Sequence, residues 1–220
     1  VSWGLVLFLT VLSTASTILI SQYKGAHDKE SEQTIYPLAI AVNLIIGAVI
    51  SAVCLFLSRD LFTLMNVEAG KTIEYATQYL TITGGTILTQ AIILTFSAFL
   101  RSNTFMKEAL AASVTANILN IIGNYIALYI LDWGVMGVGV STAASRFAAM
   151  IMIIIMFRIR IGKINWSLLF KGKPVRHLLK MLKIGIPAAG ESLSYDSSQL
   201  CIMGFINTMG NTSVNTKIYV

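Results

Sequence analysis

The 220-residue sequence predicts an all-α polytopic membrane protein with six transmembrane helices. Three observations carry that reading. Hydrophobic residues make up 55% of the chain and charged residues only 12%. A soluble domain carries about 25% charged residues, so half the usual solvating surface is missing. The apolar residues fall in runs near the roughly 20 positions a helix needs to cross a bilayer, too long for one soluble core. Finally, Lys and Arg are distributed unevenly among the intervening loops.

The six segments are 1–21, 35–57, 79–100, 109–131, 135–157 and 184–205. The first opens without Met or a charged n-region, so we expect it not to be a signal peptide and the sequence to start inside a larger protein. The second carries Tyr36, Asn43 and Ser51, and the third carries Thr83, Thr86, Gln90 and Ser97. In the fourth, Ser113, Asn117, Asn120 and Asn124 recur at i, i+4, i+7 and i+11, one helical stripe. Each stripe alone fits helix-packing glue, whereas several facing one space make a polar cavity. The fifth segment holds Gly134, Gly137, Gly139, Ser141, Ala143 and Ser145, small residues that let helices approach closely. Arg146, near its middle, needs a carboxylate or a set of carbonyls, and it either lines a pathway or pins two helices.

The sixth segment is the most informative. At about 100° per residue, Glu191, Ser192, Tyr195, Asp196 and Gln199 fall within one arc of roughly 140°. Intramembrane acids face a bundle interior or a water-filled cavity, and they mark ion or proton pathways. Pro187, one turn before Glu191, removes a backbone donor and invites a kink. The alternative is that both acids lie near enough to the helix end to be hydrated.

The first, third and fifth loops hold 12 Lys and Arg residues against 2 in the second and none in the fourth. The positive-inside rule therefore makes loops 22–33, 101–108 and 158–183 cytoplasmic in a multi-pass protein of the cell membrane. The formal charge of +6 thus serves orientation and lipid headgroups, so membrane lipids are partners and nucleic acid is not. Within the fifth loop, Val175, Leu178, Leu179 and Leu182 recur at helical spacing and predict an interfacial helix. Cys54 and Cys201 stand singly in apolar segments, and His27 and His177 lack metal-ligand spacing. No nucleophile motif is present, so we expect no enzyme and no cofactor.

The stretches "TILISQYKGAHD", "FSAFLRSNTFMKEAL", "ANILNIIGNYIAL", "GVMGVGVSTAASR" and "LKIGIPAAGESLSYDSSQ" together resemble the MATE family of multidrug and toxic compound extrusion transporters. The resemblance runs the whole length and implies helices two to seven of a twelve-helix exporter built from two six-helix bundles. It divides the chain into three parts: five helices of an N-terminal bundle (1–157), a basic linker (158–183), and the first helix of a C-terminal bundle with the start of the next loop or helix (184–220). It further implies antiport driven by Na+ or H+ with cationic, amphipathic substrates. Asn120-x-x-x-Asn124 matches the fifth-helix Asn-x-x-x-Asp pair that binds cations in some members, with Asn124 in place of the acid. The seventh-helix Glu of sodium-driven members falls here at Tyr195, with Asp196 beside it and Glu191 one turn earlier. The expected cation and substrate residues are Glu191, Asp196, Tyr195, Gln199, Asn117, Asn120, Asn124 and Gln90, with Na+ near Glu191 and Asp196 as one possibility. Rival readings are a lipid-linked saccharide flippase of the same superfamily and a non-transporting membrane scaffold.

Overall fold

A computed structural model describes residues 2–64, 71–171 and 174–208, and among them all regular secondary structure is helical. The helices are α1 (Ser2–Gly25), α2 (Lys29–Leu64), α3 (Lys71–Gly85), α4 (Ile87–Ser102), α5 (Met106–Tyr125), α6 (Gly134–Arg160), α7 (Leu168–Lys171) and α8 (Pro174–Thr208). A π-helical turn, Ile126–Ile130, prolongs α5. Three elements are long and apolar enough to span a bilayer: Lys29–Leu55, Met106–Ile130 and Gly134–Arg160. A bent helix pair passes the same test only when taken together, as a broken span or a re-entrant loop. Thr77–Gly85 and Ile87–Ser102 are bent by 44° at Thr86, where a single straight segment is expected from the sequence.

The break has a local cause. Gly84 and Gly85 end α3, and Gly is the residue least favoured in a helix interior after Pro. The Thr86 hydroxyl then donates 2.8 Å to the Thr83 carbonyl, as its own N–H does at 3.2 Å, closing a tight turn. At Pro37 and Pro187, by contrast, α2 and α8 run on without a break.

α4 is the central helix, packed against α1, α2 and α6. Phe96 and Phe99 meet Tyr36 of α2 and Phe157 of α6 near its C-terminal end. Tyr36–Phe99 and Phe96–Phe157 are edge-to-face pairs, with centroids 4.9 and 5.0 Å apart. α5 instead packs mainly on α6, and its outer face shows Ile121 and Tyr129 at 68% and 77% exposure. In a bilayer such a face meets lipid or another helix. Small residues make the α5–α6 approach possible: a Cβ on Gly123 would collide with the Ser141 side chain, and one on Gly137 with Ala127.

The three basic loops meet at one end of the bundle. Lys24 Nζ donates 2.8 Å to Asn103 Oδ1, and Arg160 pairs with Glu108 at 2.7 Å. The first loop contracts to residues 26–28, with Asp28 accepting the Ser31 N–H at 3.1 Å at the start of α2. The fifth loop differs from expectation. A separate interfacial helix and span are expected, yet Pro174–Thr208 is one helix. Val175, Leu179 and Leu182 remain exposed on it, while His177 and Met181 turn inward. Residues 209–220, the end of the sequence-defined C-terminal unit, lie outside the described residues.

His177 ties α8 to α1. The Tyr23 Oη lies 3.2 Å from His177 Nδ1 and accepts 2.9 Å from Lys180 Nζ. With Lys180 donating to the phenol oxygen, the Tyr23 hydroxyl proton is directed at a neutral imidazole. Burial holds His177 below the usual histidine range, nearby Lys180 and Arg176 act the same way, and Asp28 opposes them. A depressed folded value means that this contribution to stability is complete above about pH 6.5 and lost as pH falls through the folded value. Thermal unfolding of purified protein should therefore show a loss of stability as pH falls below about 6.5, and His177→Gln should flatten the difference.

Candidate cation and substrate site

The α5 stripe divides in two when folded. Asn117 is exposed on the outer face, whereas Asn120 and Asn124 turn toward α6. Asn120 Nδ2 donates to Thr142 Oγ1 at 3.1 Å and lies 3.4 Å from Ser145 Oγ. Its Oδ1 accepts from Asn124 Nδ2 at 3.1 Å, and its backbone carbonyl accepts from Ser141 Oγ at 3.3 Å. Thr142 Oγ1 donates to the Val138 carbonyl at 2.8 Å. The result is a chain of amides and hydroxyls with one loose end. Asn124 Oδ1 is buried and has no hydrogen-bond partner among the described residues. An unsatisfied buried amide oxygen is costly, and it is also a ready ligand for a cation. Immediately beyond it the helix widens into the π-helical turn, a feature frequent at functional sites.

The other stripes are largely consumed by packing. Asn43 Nδ2 donates to Thr95 Oγ1 at 2.9 Å, joining α2 to α4, although its Oδ1, like that of Asn124, is buried without a partner among the described residues, and Ser51 Oγ donates to the Gly85 carbonyl at 3.3 Å. Thr83 and Thr86 are buried at the α3–α4 break. Gln90, one turn further along α4, is half-buried.

Arg146 pins two helices. From α6 its Nη1 donates to Thr86 Oγ1 at 2.8 Å and to the Thr83 carbonyl at 3.3 Å, so the guanidinium completes the break between α3 and α4. Sequence reasoning demanded a partner for this cation without finding it. The signal was available in Gly84-Gly85-Thr86, a helix interruption that leaves a hydroxyl and a carbonyl open to a further donor.

The sixth-segment residues sit elsewhere. α8 packs on α1 and α2, whereas α5 packs on α6 and α4, so Glu191 and Tyr195 belong to a different helix group from Asn120 and Asn124. Both Glu191 and Tyr195 are exposed. The side chains of Asp196 and Gln199 lie outside the described residues. No cluster of three His, Cys, Asp or Glu is found among the described residues. The two groups of expected site residues are thus separate patches on this chain.

The comparisons with known proteins agree with this architecture. The MatE family profile matches residues 1–126. The chain is 34% identical over 220 residues to the uncharacterized transporter YisQ of Bacillus subtilis, covering 98% of this chain and 48% of that one. It is 24% identical over 198 residues to the multidrug export protein MepA of Staphylococcus saprophyticus, covering 89% and 43% respectively. Its fold superposes on the outward-facing conformation of a multidrug resistance MATE family transporter of the MOP superfamily, with a TM-score of 0.83 at 22% identity, over 94% of this chain and 46% of that one. The chain therefore spans about half the length of the relatives it matches. A family profile covering more than half the chain, joined to an all-helical fold shared with solved members, assigns this chain to the MatE family of transporters.

Proposed function

We propose that this chain is part of a secondary active multidrug exporter of the cell membrane, exchanging Na+ or H+ for cationic, amphipathic compounds. One observation carries the reading: the buried, unpartnered Asn124 oxygen at the end of the Asn120–Thr142 chain. Hard cations take oxygen ligands, and Asn124 Oδ1, Asn120 Oδ1 and Thr142 Oγ1 are neutral oxygens on neighbouring helices. Such a set fits Na+ and cannot hold a proton, because amides and hydroxyls do not titrate in the physiological range. A proton would instead need Glu191 or Asp196, the two carboxylates of α8. A cation held between α5 and α6 would favour whichever transporter conformation closes that gap, and a gradient could then drive export. Membrane lipids and small organic cations are the proposed partners, with the three basic loops in the cytoplasm. The flippase alternative is less well supported. Arg146, the cation it would use for a phosphate headgroup, is already engaged at the α3–α4 break.

The test uses everted vesicles carrying the protein as the cell makes it. Efflux of a cationic dye should follow an imposed Na+ or H+ gradient and collapse when that gradient is dissipated. Dye movement indifferent to both gradients would remove antiport from consideration.

A further inference from the structure

We propose that the basic end of the bundle holds a binding site for a phosphate ester, distinct from the cation site between α5 and α6. A cavity of about 460 Å³ opens there, within the size range of small-molecule sites. Lys24, Lys29, Arg160 and Lys163 line it against a single carboxylate, Glu32. Its floor is ordered by a hydrogen-bond chain through buried Asn103. Lys24 Nζ donates to Asn103 Oδ1 at 2.8 Å, Asn103 Nδ2 donates to Tyr36 Oη at 2.8 Å, and Tyr36 Oη donates to Glu32 Oε1 at 3.1 Å. Arg160 is held by Glu108 at 2.7 Å and lies 5.4 Å from the Phe105 ring centroid. Two of the four cations are therefore fixed in place before any ligand arrives, which reduces the ordering cost of binding.

Helix electrostatics account for only some of these charges. Lys24 and Arg160 lie in the last turns of α1 and α6, where a cation complements the helix dipole. Lys29 does the opposite, standing at the first residue of α2, where positive charge is unfavourable. Lys163 follows the end of α6 and, like Lys29, is exposed. Cations that oppose or ignore the local dipole yet converge on one cavity point to an external anion. Ile161, Ile164 and Phe105 add an apolar wall, which suits an ester with a carbon skeleton better than a bare ion. Basic pockets between transmembrane helices recognise phosphate headgroups by this combination. The shared chemistry is a glycerol phosphate group, presented by an anionic phospholipid or by a soluble ester.

Thermal unfolding of the protein as the cell makes it, in nanodiscs, separates the sources. One arm compares phosphatidylglycerol with phosphatidylcholine. The other titrates glycerol 3-phosphate against chloride at constant ionic strength in phosphatidylcholine. A rise of several degrees is expected in at least one arm, and that arm names the source. Lys29→Gln with Lys163→Gln should remove at least half of the rise, while the paired Arg variants should retain it. Arg176→Gln with Lys183→Gln removes equal charge outside the cavity and should leave the rise intact. If the cavity pair fails to fold, Lys163→Gln alone is read the same way. No rise in either arm, or equal responses from the cavity and control variants, would overturn the site.

Discussion

Asn120→Leu is expected to lower Na+-driven dye efflux at least tenfold with near-native protein levels. The substitution is close in size but removes the amide that receives Asn124 and donates to Thr142. It also strands the Asn124 amide, adding a second unmet polar group beside the oxygen already unpartnered. Loss of one buried polar contact costs about 1–3 kcal/mol, and each 1.4 kcal/mol is about tenfold in an equilibrium constant. The α8 acids provide the contrast. Glu191→Gln and Asp196→Asn preserve shape while removing charge, so at least one should abolish H+-driven efflux if a proton is the coupling ion. Vesicle efflux under separate Na+ and H+ gradients reads both predictions. Native coupling in Asn120→Leu would make the α5–α6 chain structural, and native coupling in the double amide variant would do the same for the acids. A protein in which both sets matter couples at two places.

Thr86→Val should destabilise the protein more than Arg146→Met does, and combining them should recover much of the loss. Thr86 supplies the shorter of the two hydrogen bonds that Arg146 makes at the α3–α4 break. Removing that acceptor leaves a half-buried guanidinium short of a partner, and hydrogen bonds to charged groups are worth about 1.5–3 kcal/mol. Removing the Arg eliminates the charge together with its demand. The Thr83 carbonyl still receives the Thr86 N–H and hydroxyl. Replacing buried charge by an apolar side chain of similar volume is often close to neutral. A double-mutant cycle on detergent-solubilised protein therefore isolates the coupling. Additive losses would mean that the Arg146–Thr86 contact contributes nothing to holding α6 against the break.

Long-window hydropathy and loop charge made the class and the broad segment pattern legible from the sequence, because each depends on local composition, while the family resemblance rested on particular stretches such as Ala116–Leu128. The small-residue helix was equally legible. Gly137, Gly139, Ser141 and Ser145 are buried in α6, as close approach requires. Pairing between stripes was not legible. Asn43, Thr83 and Asn120 look alike as polar residues in apolar helices. One joins Thr95, one closes a break, and one anchors a chain ending in an unsatisfied oxygen. Those fates depend on how each helix is rotated against its neighbours, which helical periodicity alone cannot specify. For the same reason Thr142, the partner of Asn120, is indistinguishable in the sequence from the small residues around it. Charge density also concealed the continuity of α8, since a basic stretch reads as a loop even where its backbone stays helical. Residue type and spacing thus determined which side chains carried polar function, and tertiary packing decided which were spent on holding helices together, because a buried hydrogen bond needs its partner within about 3 Å.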